Sequence, residues 1–366
     1  MRCHSFVLQR FVTGLIAIGA AGCEQSRTTS APATTAAAAA AATPAPLTEP
    51  RVGLDAMRAY HDASGSHRAV LSTLDFWQAA LTDFEHALLQ SNAPQRWRTA
   101  HQFCQGRIEM IRGNVAAAVT FFRGAASAEP DWPPPHVALA DALRHGNDTE
   151  GALQEVRRGQ TLEAAWWVPV AYEASTLASV GRYPESIATY RRALTIAPNE
   201  SAIFDGLALV QSASGDDAGA SASARSAIQH DADSPWAHLV LAEQALAHQD
   251  AQTALTEATS ASRVLPHATS PEHARADALA LLHRDAEARA AYQHALQIGD
   301  ETHQLGFPEA RIAAVRDALA HNRLPSPRFA QAQAHAAGAA TANANGSTSI
   351  GSLLTDPGLD LGRLGN

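Results

Sequence analysis

A repeat of period 34 constrains this chain more than any other feature, and it is clearest over residues 167–200. That stretch reads as two short helices joined by a tight turn at Gly181-Arg182. The first helix runs through Tyr172, Leu177 and Val180. The second opens at Pro184, where a missing backbone N–H costs nothing because first-turn donors have no helical partner. It carries Ile187, Tyr190, Ala193, Leu194 and Ala197 at helical spacing, and Pro198 stops it. Two helices this short cannot bury their apolar faces against each other alone. They need a similar hairpin on each side.

Sliding the window by one period in either direction finds those neighbours. Windows opening at Thr99, Pro133, Trp167, Ser201, Pro235 and Thr269 align without an insertion. Their eighth positions are Gly106, Ala140, Ala174, Ala208, Ala242 and Ala276. The twentieth and twenty-seventh positions are equally small, from Ala118 and Ala125 through to Ala288 and Ala295. Small side chains at three fixed places per period are what close helix–helix approach requires. A larger side chain recurs at the twenty-fourth position as Phe122, Val156, Tyr190 and Tyr292, with Ala224 and Ala258 between them.

Period 34, small residues at positions 8, 20 and 27, an aromatic at 24 and proline at 32 resemble the tetratricopeptide repeat (TPR). The resemblance covers residues 99–302 and implies an all-α fold, a right-handed α-solenoid of TPR helix hairpins with disordered termini. It implies six repeats, 99–132, 133–166, 167–200, 201–234, 235–268 and 269–302. The sequence departs from the pattern at position 7, where Gln105, Glu173 and Arg275 replace a large apolar residue, so those repeats should pack loosely or shift register.

The flanks complete the expected organisation. Residues 51–98 read as an N-terminal cap plus a divergent repeat, with 51–62 and 66–72 helical. Ala80, Phe84 and Ala87 fit positions 20, 24 and 27 of a window opening at His61. Residues 303–322 read as a C-terminal capping helix with Ile312, Val315 and Leu319 on one stripe. Residues 323–366 read as a disordered tail whose leucines near the end offer either a docking peptide or an unselected terminus.

At the N-terminus, Arg2 and Arg10 precede an apolar run too short to span a bilayer, so 1–22 reads as a secretory signal. It ends in Ala20-Ala21-Gly22-Cys23, which resembles a bacterial lipobox with Ala20 in the usual leucine place. That resemblance implies lipidation at Cys23 and, with Glu24 following, an outer-membrane anchor on the periplasmic face of the bacterial cell envelope. Residues 23–50 hold almost no large apolar side chain and read as a disordered Ala/Thr/Pro tether.

Composition narrows the function. Net charge is −9, all 27 basic residues are arginine, and no basic stripe stands out along the sequence, so nucleic acid is not an expected partner. Of three cysteines, Cys104 is left alone as a small buried hydrophobe. The 17 histidines form no HExxH pattern, and His145, His230, His248 and His267 fall near helix ends where the dipole favours them. No phosphate loop or nucleophile elbow occurs. No catalytic, metal or cofactor-binding residue is therefore expected.

Binding of a protein or peptide is the expected role, with attachment to a membrane through the lipid anchor. By the TPR resemblance, positions 2, 5, 9 and 12 face a concave groove. They assign Phe103, Arg107, Asp141, Asp205, Leu209, Trp236, Leu239, Glu243 and Asp277 to a partner-binding surface, apolar anchors among carboxylates. Such a groove suits a peptide with apolar and some basic side chains. The Lys and Asn residues with which TPRs clamp a terminal carboxylate are missing. The alternative is an envelope enzyme, or an obligate subunit of one, with a site between repeats.

Overall fold

The structure is a computed structural model that describes residues 47–62, 73–266, 268–302 and 309–325. Expectations for 1–46, 66–72, His267, 303–308 and 326–366 lie outside the described residues. The described part is all helix and turn, with fifteen helices and no strand. They are α1 (Arg51–Asp62), α2 (Leu74–Leu88), α3 (Gln95–Ile111), α4 (Val115–Ala128) and α5 (Pro133–His145). Next come α6 (Thr149–Leu162), α7 (Trp167–Ser179), α8 (Tyr183–Ile196), α9 (Ser201–Ala213) and α10 (Asp217–His230). The last are α11 (Pro235–Ala247), α12 (Ala251–Val264), α13 (Thr269–Leu281), α14 (Asp285–Thr302) and α15 (Glu309–Ala320).

The step between hairpins is constant because each hairpin turn is the same turn. The residue at positive φ is Gly113, Asn147, Gly181, Gly215, Gln249 or His283, each one full period after the last. The next backbone N–H then reaches back five residues to a helical carbonyl, as in Asn114 N–H to Glu109 O (2.8 Å), Asp148 to Leu143 (2.8 Å) and Asp250 to Ala245 (2.9 Å). This left-handed cap satisfies carbonyls that the helix end would otherwise leave bare. Three of the following helices are then started by an aspartate: Asp148, Asp216 and Asp250 accept from Gly151, Gly219 and Thr253 N–H.

Packing follows the small positions. All eighteen residues at positions 8, 20 and 27 are buried. So are Phe122, Val156, Tyr190, Ala224, Ala258 and Tyr292. Large and small side chains alternate across the contacts: a Cβ on Gly106 would stand 2.5 Å from the Phe122 ring, and one on Gly206 would stand 2.5 Å from Tyr190. Each first helix packs on the first helix of the next repeat, while each second helix lies between its own first helix and the following one. Two layers result, and the contact pattern puts the first helices on the inner side.

The ends depart from the regular step. α2 packs on α1, whose Gly53 sits under Phe84, and Ala80, Phe84 and Ala87 are buried; the first half of the window opening at His61 lies largely outside the described residues. At the other end α15 lays Val315 on a cluster of Ala276, Leu279, Ala288, Ala291 and Tyr292.

Candidate interaction face on the first helices

The nine residues assigned to the groove lie on five first helices, α3, α5, α9, α11 and α13. All nine are buried, the most exposed being Trp236 at 6%. Burial extends around whole helices: every residue from Pro134 to Arg144, and from Val168 to Ala178, is buried. The nine side chains expected to line a partner-binding groove are thus covered within the chain. These side chains make structural contacts inside the chain.

Asp205 shows how. Its Oδ1 accepts from the Ala237 backbone N–H at 2.8 Å, and its Oδ2 accepts from the Ser234 hydroxyl at 2.7 Å. Ser234 precedes α11, and Ala237 N–H is one of its orphan first-turn donors. A carboxylate from one repeat therefore caps the first helix of the next, where a negative charge also meets the positive helix end. Asp277 accepts from the Tyr292 hydroxyl of its own hairpin and from Arg311 Nη2 (3.1 Å) of α15. Asp141 pairs with Arg144 one turn on at 2.8 Å.

Phe103 and Arg107 are covered from the N-terminal side. Tyr60 of α1 stands edge-on to Phe103 with ring centres 4.9 Å apart, and Trp77 lies 5.8 Å away. The Arg107 guanidinium lies over both Tyr60 (5.4 Å) and Trp77 (5.6 Å). The end of α1 reaches further still. His61 stacks on Trp166 at 4.9 Å, its Nε2 meets Glu163 at 3.0 Å, and Trp166 Nε1–H donates to the His61 carbonyl at 2.7 Å. Leu209 and Leu239 are fully buried core, and Glu243 is buried with them.

Several polar groups were not singled out from the sequence. His136 Nδ1 meets Glu155 at 2.6 Å while its Nε2 meets the Pro130 carbonyl at 3.0 Å. His238 repeats the arrangement with Glu257 (2.6 Å) and the Ala232 carbonyl (3.0 Å). Each ring ties both helices of a hairpin to the turn before it. Burial disfavours a charged His238 ring, but the hydrogen bonds to Glu257 and Ala232 outweigh it and raise its pKa. The signal was present as His at position 4 with Glu nineteen residues later, twice.

The unusual residues at position 7 resolve by pairing in two cases. Glu173 accepts from Gln160 (3.0 Å), Arg192 (2.5 Å) and Arg157 (3.3 Å). Burial opposes its ionisation, but these bonds hold the carboxyl below the usual range. Arg275 pairs with Glu272 at 2.6 Å. Gln105 instead lines an open cleft of about 450 Å³ with Gln95, Arg98, His101 and Gln102. Cys104 is fully buried, and burial pushes its thiol pKa up.

No family model matches the sequence, and no curated protein matches it. Solved structures do. The crystal structure of the APC/C hetero-tetramer Cut9–Hcn1 superposes with a TM-score of 0.52 at 12% identity, over 68% of this chain and 52% of that one. The chain thus spans about half the length of that structure's chain. At this identity the likeness shows the fold, a right-handed TPR-type α-solenoid. Pseudomonas aeruginosa pilF is similar at TM-score 0.46 and 17% identity, over 56% of this chain and 92% of that one. TTC0263, a TPR protein of Thermus thermophilus, is similar at 0.40 and 18%, over 49% and 91%.

Proposed function

We propose that the chain is a protein–protein interaction scaffold, tethered to a bacterial envelope membrane through Cys23, whose first-helix face takes a partner peptide or protein during envelope assembly. The observation that carries this reading is the unbroken succession of hairpins over 99–302, opening at a constant step and aligning one row of first helices. Stacks of this kind grow in one dimension and present long surfaces rather than a single central pocket. The row mixes apolar anchors (Phe103, Leu209, Trp236, Leu239) with carboxylates (Asp141, Asp205, Glu243, Asp277), which suits a ligand with apolar and basic side chains.

Burial of these residues adds a requirement. A partner at this face must replace contacts that the side chains already make, so binding is an exchange rather than simple addition. Affinity is then reduced by the fraction of chains in the competent state. Site-specific photo-crosslinking tests this in cells, with the probe replacing Leu209 or Glu243 on the inner side and Ala188 on α8 as the outer control. Adducts to one defined protein from the two inner positions and none from Ala188 support the reading. Identical adducts from all three positions refute it. Incorporation of labelled fatty acid, lost in Cys23→Ser, tests the anchor separately.

A further inference from the structure

Position 25 is arginine in four consecutive repeats: Arg123, Arg157, Arg191 and Arg225. They sit within the second helices α4, α6, α8 and α10, and all four are exposed. Reading along the sequence finds no basic stripe because a whole period separates its members. Because the hairpins recur at a constant step, the same position of each second helix returns once per repeat, so these residues form one row along the stack. On each helix the side chains three and four positions away are uncharged, being Ala, Val, Leu, Ile, Ser, Thr or Gln. Arg157 shares Glu173 with Arg192. No carboxylate of the described residues pairs with Arg123, Arg191 or Arg225. Arg158 and Arg192, both exposed, widen the row in the middle.

We propose that this row is a docking surface for an extended acidic segment of a protein partner, distinct from the first-helix face and independent of it. Successive second helices each pack on the first helix between them, so the guanidiniums of the row stand farther apart than the about 10 Å of directly packed helices. An extended chain advances about 3.3 Å per residue, so carboxylates at every third residue offer one about every 10 Å and let each guanidinium in turn find a partner. The planar guanidinium fork matches a carboxylate with two parallel hydrogen bonds. An anionic bilayer fits less well. The large apolar residues exposed among the described ones are Val52, Leu89 and Val180, and none is on the four helices that carry the row to insert with it.

The test uses the full chain and a fluorescein-labelled peptide of four tandem Glu-Ser-Gly units, read by anisotropy, with Lys-Ser-Gly units as the control. The acidic peptide should bind, and its affinity should fall several-fold between about 20 mM and about 200 mM salt as screening tightens. The triple variant Arg123→Gln/Arg191→Gln/Arg225→Gln should lose affinity at least about tenfold, or about 1.4 kcal/mol. Because the three side chains are exposed, its circular dichroism should match the parent. Arg182→Gln, at an exposed arginine already paired with Glu185, should change nothing. Unchanged binding by the triple variant, or equal binding of the lysine peptide, overturns the proposal. Phosphatidylglycerol vesicles that capture the parent but not the triple variant, while the acidic peptide fails to bind, also overturn it in favour of a membrane surface.

Discussion

Gly206→Ala and Gly124→Ala make the same chemical change in the middle of two helices of the same stack, yet the structure assigns them opposite signs. A methyl on Gly206 would sit 2.5 Å from the Tyr190 ring carbon Cζ and its hydroxyl, and 2.6 Å from Cε1. Tyr190 is 1% exposed, so its ring has nowhere to go without moving neighbours. Overpacking of this kind costs about 1–3 kcal/mol. Alanine recovers about 1 kcal/mol of helix propensity, leaving a net loss of about 1–2 kcal/mol when the overlap cost is in the upper half of its range. A methyl on Gly124 meets only the amide end of Gln102, at 3.6 Å, an ordinary contact. There propensity acts alone and Gly124→Ala should stabilise by about 0.5–1 kcal/mol. Urea melts followed by circular dichroism measure both. A stack can unfold repeat by repeat, so the slope of each melt must match the parent's. Tyr190→Leu removes the ring, and the double variant should lose less than the sum of the singles. If Gly206→Ala proves neutral or stabilising, or the two changes shift stability the same way, the close-packing argument for the constant step fails.

Three further outcomes follow from named contacts. Asp205→Ala should destabilise the stack by about 1–3 kcal/mol, since it strands the buried Ala237 N–H, and hydrogen exchange at the start of α11 should rise first. Because the His238 pKa is raised on folding, its stabilisation is complete below the pKa of the unfolded chain and is lost as pH climbs through the folded value. The parent's thermal midpoint should therefore fall as pH rises from about 6 to about 8, while Glu257→Gln should flatten that slope. Cys104 should resist a thiol reagent in the native chain and react fully in denaturant, with native reactivity counting against its burial.

The repeat was legible because its step is written in residues that backbone geometry selects. Glycine at 113, 181 and 215 is the residue best suited to a left-handed turn, and prolines at 130, 198 and 266 end helices. Asn147, Gln249 and His283 occupy the same turn without announcing it. The assigned groove was less legible. Spacing places a residue on a first helix, but whether Asp205 faces a partner or caps the next helix depends on where Ala237 comes to lie. Phe103 and Arg107 were likewise read as lining, and only the fold of α1 brings Tyr60 over them.

Read alone, the chain determined the unit and its period, since helix length, turn chemistry and the size of the contacting side chains are local properties that recur in every repeat. Tertiary structure decided which polar side chains end up inside and which of them pair across the stack. Those outcomes depend on contacts between residues far apart in the chain, such as His61 with Glu163, and periodicity along a chain carries no information about partners that lie off the period.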